Sequence, residues 1–368
     1  MKPSENDDQI KAGRKAGGSK GMALLLTLAI ITLMVATVVG IHQRIRSGRA
    51  MPFAYGLRME LYHMASSGIQ AAMAVLAQDR ADSEVDSVQE DWADPLFLKK
   101  IASAVPFESG EVILAIDDEL GKVQINALVK QPEGQQFNPV QKRLWDRLLL
   151  YFKDQLGNPE MDFQAENIID ALKDWMDTGE GDTLSGLGGA ESDYYRSLDP
   201  PYTCKNAPMT HLSELALVKG ISSELLAALG GIAEISKHLT VHGVSQSSGS
   251  APEFKGKINI NTAGLPVLAA LLPIGEQGLA QAIYDFRADR SENTFLHDLS
   301  DPNWYRQAPG CRHLRIDPEL ITLSSDIFRI DATAVIESAR LKITAVVARQ
   351  KDESTGKWAC KVLSWHPG

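Results

Sequence analysis

The hydrophobic pattern begins with an uncharged apolar run, Met22 to Ile41 (MALLLTLAIITLMVATVVGI). At roughly 1.5 Å per helical residue, about 20 residues cross a hydrocarbon core about 30 Å thick, so the run predicts a membrane span. A secretory signal would have a shorter apolar core followed by an A-x-A-like site, and the text that follows, IHQRIRSGRAMPF, offers none. Helical spacing continues through Leu57, Leu61, Met64, Ala65, Gly68, Ala71, Ala72, Val75 and Leu76 as far as Gln78, extending the span into one long N-terminal helix. Pro52 is expected to interrupt or kink it.

The pattern then changes twice. DRADSEVDSVQEDWAD, from Asp79 to Asp94, reads as a surface loop or short helix, and Glu111 to Ile116 with Lys122 to Leu128 reads as a hairpin turning at Gly121. Near-alternation returns only at Ile327 to Ile336, Leu341 to Gln350 and Lys357 to His366, with Thr355-Gly356 as a turn between the last two. Between these regions the periods are helical: Val140 to Asp154, Ala165 to Asp177, Leu212 to Val218, Glu224 to Ala228, Leu265 to Leu272 and Gly278 to Asp289. VHGVSQSSGSAPEFKG, rich in Ser and Gly, is the best candidate for a mobile loop. The economical architecture is an α+β fold: a long N-terminal helix packed on an antiparallel sheet, with a large α-helical domain inserted between sheet strands. Its segments are a leader (1–21), a transmembrane and assembly helix (22–78), a first β region (79–130), the inserted helical domain (131–320) and a second β region (321–368).

Composition sharpens this outline. A length of 368 residues suits two domains, and a net charge of −10 argues against a general nucleic-acid binder. Lys11, Arg14, Lys15 and Lys20 precede the apolar run while Arg44, Arg46 and Arg49 follow it, so charge alone does not orient the span. Cys204, Cys311 and Cys360 have no metal-site spacing; an oxidising compartment would allow one disulfide and one free thiol, in any pairing.

Candidate chemistry concentrates in one place. From Glu160 to Asp199 there are eleven acidic residues against Lys173 and Arg196, a net of −9 out of the whole chain's −10. Carboxylates beside flexible glycines, as in DWMDTGEGDTLSGLGGAESDYY, could wrap a hard cation such as Ca²⁺, which takes six to eight oxygens. The loop is no EF-hand, and on composition alone a solvated acidic loop is the simpler reading. Two segments, HLSELALVKGISSELLAAL and INTAGLPVLAALLPIGEQGLAQAIYDFR, imitate a helix-hairpin-helix, yet Ile258 to Phe286 contains no Lys or Arg to meet phosphate. They read as packing units, with no nucleic acid as partner. Neither H-E-x-x-H nor G-x-S-x-G nor a P-loop is present, His63 on the long helix reads as a packed or partly exposed residue, and no catalytic residue is expected.

The leader ends Ser19-Lys20-Gly21 before a bulky Met22, and this resembles the type IV prepilin and pseudopilin signature. The resemblance implies that a prepilin peptidase cuts after Gly21 and methylates Met22, and that Leu24, Leu25, Leu26, Leu28 and Ile31 belong to the assembly helix. Most of that family carries Glu at the fifth mature position, where this chain has Leu26; the K-type minor pseudopilin of type II secretion typically lacks it too. A buried carboxylate without a partner is costly, so its absence suits a subunit whose surroundings offer none. ALKDWMDTGEGDTLSGLGGAESDYYRSLDPPYTCKNAPMTHLSELALVKGI and GKININTA are similar to K-type elements in the same order. The resemblance therefore implies a pilin-like fold and structural Ca²⁺ in the acidic segment, with Asp177, Glu180, Asp182, Glu191 and Asp199 as ligands. It also implies I-, J- and H-type minor pseudopilins as partners, a single pass through the bacterial inner membrane with a periplasmic soluble domain, and a place at the pseudopilus tip. The alternative is a membrane-anchored periplasmic enzyme or nucleic-acid-binding protein using the hairpin-like segments.

Overall fold

The computed structural model describes residues 19–130, 134–157, 163–179, 184–245, 253–292 and 294–368, and the chain divides into two units, Met1–Glu60 and Leu61–Gly368. The described part of the first unit is helix alone, the beginning of α1 (Ser19–Asp82). Its stretch Gly21–Gln43 is long and apolar enough to cross a membrane, and none of it is buried within the chain. Thr27, Thr32 and Thr37 are the only polar side chains in Met22 to Ile41, and each hydroxyl donates back to a carbonyl of the preceding turn, at 2.9 Å to Leu24, 3.0 Å to Leu28 and 2.9 Å to Leu33. No donor in this run is thus left to hydrocarbon. Of the interruption or kink expected at Pro52, the interruption is not found: α1 is assigned without a break from Ser19 to Asp82.

In the second unit α1 buries Leu61, Met64, Ala65, Ile69, Ala72 and Leu76, a helical stripe. At Gly68 an added Cβ would lie 2.7 Å from Val112 and 3.0 Å from Leu114, so glycine is what lets the helix approach the sheet. That sheet is antiparallel, in the order β1 (Glu111–Asp118), β10 (Ile327–Ile336), β11 (Ala339–Lys351), β12 (Trp358–Pro367). Strict alternation in β1 buries Val112, Leu114, Ile116 and Asp118, and β10 buries Phe328, Ile330, Ala332 and Ala334. Asp352 and Gly356, with Gly356 at φ +68°, close the last turn where Thr355-Gly356 predicts it. Ahead of β1 stands a helix the sequence pattern did not announce, α2 (Pro95–Ala104), capped by the Asp94 carboxylate accepting from Leu96 N at 3.0 Å.

The hairpin expected at 111–128 does not form. β1 pairs with β10 instead, Val112 opposite Ala334 and Ile116 opposite Ile330. Only Val123–Gln124 of the second run is a strand, β2, parallel to β3 (Leu239–Thr240), and Ile125–Leu128 is a 3₁₀ turn. Its polar positions do not face water: Gln124 donates to Lys257 O at 2.9 Å, and Asn126 donates to Met209 O and Val241 O, each at 2.9 Å. Beside them Val123, Ile125 and Leu128 are buried in one cluster with Leu144, Trp145, Ile169 and Leu172, so that cluster reaches back ahead of residue 131, where the inserted domain was expected to begin.

That domain is built on α3 (Pro139–Leu156), capped by Asn138, and α4 (Ala165–Met176), followed by α5 (Ser192–Arg196), α6 (Ser223–Ala228) and α7 (Gly231–Ile235). A short ribbon, β4 (Val244–Ser245) with β5 (Glu253–Phe254), flanks the Ser- and Gly-rich loop, whose residues 246–252 lie outside the described ones. Then come β6 (Ile258–Asn259), α8 (Leu265–Leu271), α9 (Ala280–Ala288), a ribbon of β7 (Arg290–Ser291) and β8 (Thr294–Phe295), and β9 (Ile321–Thr322), which runs parallel to β6. Val267, Leu268 and Leu271 of α8 are buried with Leu144, Trp145 and Leu148 of α3. Arg147 donates to Leu271 O at 3.3 Å.

Candidate metal and assembly sites

Leu24, Leu25, Leu26, Leu28 and Ile31 stand on α1 with at least half of each side chain exposed, Leu26 being 65% exposed. Gly21 lies on the same helix with open space around it, and Met22 follows, equally exposed. The leader before residue 19 lies outside the described residues.

The acidic segment folds back on itself. Asp170, Asp174 and Asp177, at spacings of four and three, fall on one face of α4 and its end, and all three are buried. The glycine-rich loop then lies against that face: Ser185 N donates to both Asp174 oxygens, at 3.3 and 3.1 Å, and Lys219 Nζ holds Gly189 O at 2.9 Å. A Cβ on Gly188 would lie 2.2 Å from Asn167 Cα, and one on Gly189 the same distance from Asp174 Oδ2. As a result Asp174, Asp177 and Glu191 each bring an oxygen within 4.8 Å of the others. Lys173 Nζ already sits 2.5 Å from Asp177 and 3.6 Å from Asp174. Burial pushes the Asp170 carboxyl up, only partly offset by Lys142 and the Gly188 amide. Three carboxylates form a hard-oxygen donor set of the kind Ca²⁺ takes.

Of the sequence-predicted ligands, the structure joins Asp177 and Glu191 and adds Asp174. Glu180 and Asp182 lie outside the described residues, and Asp199 is exposed and outside the group. The signal for Asp174 was available, since it precedes Asp177 by one helical turn. The Tyr-rich text nearby is packing: Trp175 meets Tyr195 edge-on at 5.1 Å, and Tyr195 stacks on Tyr202 at 5.3 Å. Glu214 has no catalytic arrangement either. Burial would raise its carboxyl, but Lys205 at 2.7 Å and the amides of Thr210 and His211 outweigh this and hold it at about 2.

A second acidic group lies in the stretch read from sequence as a surface loop or short helix, where a short 3₁₀ turn does form at Asp91–Ala93. Asp86 is fully buried, Ser87 and Trp92 nearly so; Arg349 of β11 reaches Asp86 through the core, and Trp92 packs edge-on against Phe328 at 5.2 Å. Arg349 Nη2 bonds Asp86 at 2.5 Å and Ser325 O at 2.7 Å, and Nη1 bonds Asp79 at 2.8 Å and Leu76 O at 3.2 Å. Glu90 completes the group, accepting from Ser87 N at 2.8 Å and Trp92 Nε1 at 2.9 Å. Burial, with Glu90 and Asp86 alongside, pushes the Asp79 carboxyl up to about 7 against the pull of Arg349. Here the cation is already the arginine.

A family model described as type II secretion system protein K matches residues 121–232, the part that contains the first acidic group. Among curated relatives, the type II secretion system protein K of Pseudomonas aeruginosa is 29% identical over 281 residues, 73% of each chain. That of Aeromonas hydrophila is 29% identical over 216 residues, 57% of this chain and 61% of its own. Among solved structures, a chain from the GspK-GspI-GspJ complex of enterotoxigenic Escherichia coli superposes with a TM-score of 0.58 at 16% identity, covering 86% of this chain and 98% of that one, which shows the shared fold. The helix-on-sheet unit with its helical insertion shares the fold of that solved chain, and over residues 121–232 and in the curated relatives the chain is similar to type II secretion system protein K.

Proposed function

We propose that this chain is a minor pseudopilin of a type II secretion machine, a structural subunit and not an enzyme. A prepilin peptidase cuts after Gly21, and Met22 to Ile41 hold the subunit in the inner membrane with its soluble part in the periplasm until assembly. It then caps the pseudopilus tip and initiates assembly with I-, J- and H-type subunits. The observation that carries this reading is α1 itself: an exposed, uncharged run with every hydroxyl satisfied, continuous with a helix whose later turns are buried on a sheet. The insertion between β1 and β10 supports the tip, since so large an addition would obstruct a subunit stacked above it, and Leu26 lacks the carboxylate that pairs with a neighbour. N-terminal sequencing of the mature chain is expected to begin at N-methylated Met22, and I- and J-type subunits are expected to copurify. An intact leader on the mature protein would sink the proposal.

We further propose a structural Ca²⁺ held by Asp174, Asp177 and Glu191, with Glu180 and Asp182 as the remaining candidates and Lys173 swinging aside. With free calcium at about 100 times Kd, binding would add about 2.7 kcal/mol to stability. Chelation by EGTA is therefore expected to lower the thermal midpoint by several degrees, and calcium to restore it. A midpoint indifferent to both would rule the ion out.

A further inference from the structure

Three of the eight histidines meet where the inserted domain faces the sheet, although they come from three separate segments. Two of those segments share an anchor. Asn126 Nδ2 donates to Met209 O and Val241 O, each at 2.9 Å, and Asn126 Oδ1 accepts from Met209 N at 2.7 Å. His211 is two residues beyond the first contact and His242 one beyond the second. The third histidine reaches them from β12. His366 pairs with Thr344 and Thr344 with Asp331, so these side chains, with Arg329 two positions along β10, share the face of the sheet opposite the one under α1. Arg329 Nε lies 3.9 Å from Glu119, and Glu119 accepts from the Thr240 hydroxyl, two residues short of His242. On that face His211 and His366 stand edge-on, their ring centroids 6.4 Å apart.

Imidazole suits Zn²⁺ and its transition-metal neighbours, whereas a hard cation such as Ca²⁺ takes oxygen, so this group differs in chemistry from the acidic segment. Burial pushes the His242 imidazole below its ordinary range against the pull of the Glu119 carboxylate, and the charges of Lys122, His211 and His366 press the same way as burial. The ring is therefore neutral, as a metal ligand must be. Glu119, whose charge acts on that ring, supplies the carboxylate that commonly stands behind a metal-bound imidazole. As they stand the three rings do not converge on one point. Closing on an ion about 2.0–2.1 Å from each nitrogen requires the exposed pair, His211 and His366, to turn about χ1 and χ2.

We propose that His211, His242 and His366 bind one Zn²⁺, with water in the fourth position, and that the ion clamps the end of the last strand to the inserted domain. Two ligands belong to the insertion and one to β12, so the metal closes a contact that the backbone leaves to side chains alone. The site is separate from the calcium proposal in both residues and ligand atoms.

The test uses the full chain in micelles with saturating Ca²⁺, so that any oxygen site is already filled, and ZnCl₂ as the probe. Equilibrium dialysis is expected to find one Zn²⁺ per chain, and the ion should raise the thermal midpoint. His211→Gln and His366→Gln, both at exposed positions where the fold tolerates change, should each weaken binding by about tenfold or more and cancel the rise in midpoint. Co²⁺ in place of Zn²⁺ should give the visible absorption of a four-coordinate nitrogen site in the parent and lose it in both variants, a readout that stability alone does not move. His313→Gln, an exposed histidine outside the group, is the control and should bind as the parent does. Binding that survives both substitutions, several weak ions in place of one, or an equal loss in the control would each overturn the site. The response to calcium should persist in all three variants, so failure here leaves the calcium and minor-pseudopilin proposals standing.

Discussion

Arg349→Met is expected to destabilise the chain by about 3–5 kcal/mol at pH 8, the largest effect of any single substitution considered, because it removes the guanidinium bonded to Asp79 and buried Asp86 and leaves a group of three carboxylates with only Arg80 acting on it. Methionine keeps much of the stem's volume and its contact with Phe328, so the loss measures charge more than packing. The bonds removed reach α1 at Asp79, the α1–α2 connection at Asp86 and the strand lead-in at Ser325, so the unit loosens at three places together. The cost depends on pH. Asp79 titrates near 7 in the folded chain against 3.8 unfolded, so its contribution to stability is fully present below 3.8 and is lost as pH rises through 7. Without Arg349 the carboxyls climb further, and the gap between variant and parent should narrow at pH 5 and widen at pH 8. Urea unfolding of the full chain in micelles, followed by tryptophan fluorescence from Trp92 and Trp358 near the cluster, reads it directly. A variant as stable as the parent at pH 8 would show that the cluster is hydrated and the ion pair dispensable.

Gly188→Ala is expected to cost about 3 kcal/mol, the upper end of overpacking, because the new methyl would lie 2.2 Å from Asn167 Cα and 2.6 Å from its carbonyl, and backbone cannot swing away. The loop must lift off α4. Ser185 then loses Asp174, and Glu191 leaves the group it forms with Asp174 and Asp177. On the calcium proposal the variant should also lose its response to EGTA and calcium, a signature that simple destabilisation would not produce. Gly278→Ala, with nothing within 4 Å and no positive φ, is the control and should leave both stability and calcium response unchanged. A calcium response retained in Gly188→Ala would show that the loop's closure does not build the site.

Local signals carried the terminal sheet and the long helices. β10 runs from Ile327 to Ile336 as its alternation requires, and α4 ends at Met176, one residue short of expectation. They failed where a segment's partners lie far away in the chain. Gln124 and Asn126 look like the polar half of an alternating strand, yet their amides are spent on carbonyls 133 and 83 residues away. Asp86 sits in text as polar as any surface loop, and what it meets in the core is an arginine 263 residues later. Neither distance leaves a trace in a window of ten residues.

By itself the sequence determined the apolar run, the long N-terminal helix, the three C-terminal strands and the acidic segment, since each is written in contiguous residues whose period or charge acts locally. Tertiary structure alone decided that β1 closes onto β10 across the whole inserted domain, that Asp174 joins Asp177 and Glu191 under a glycine loop, and that an acidic connection is core. Those outcomes depend on which distant groups can satisfy a buried carboxylate or an open strand, and desolvation makes every such choice all or none.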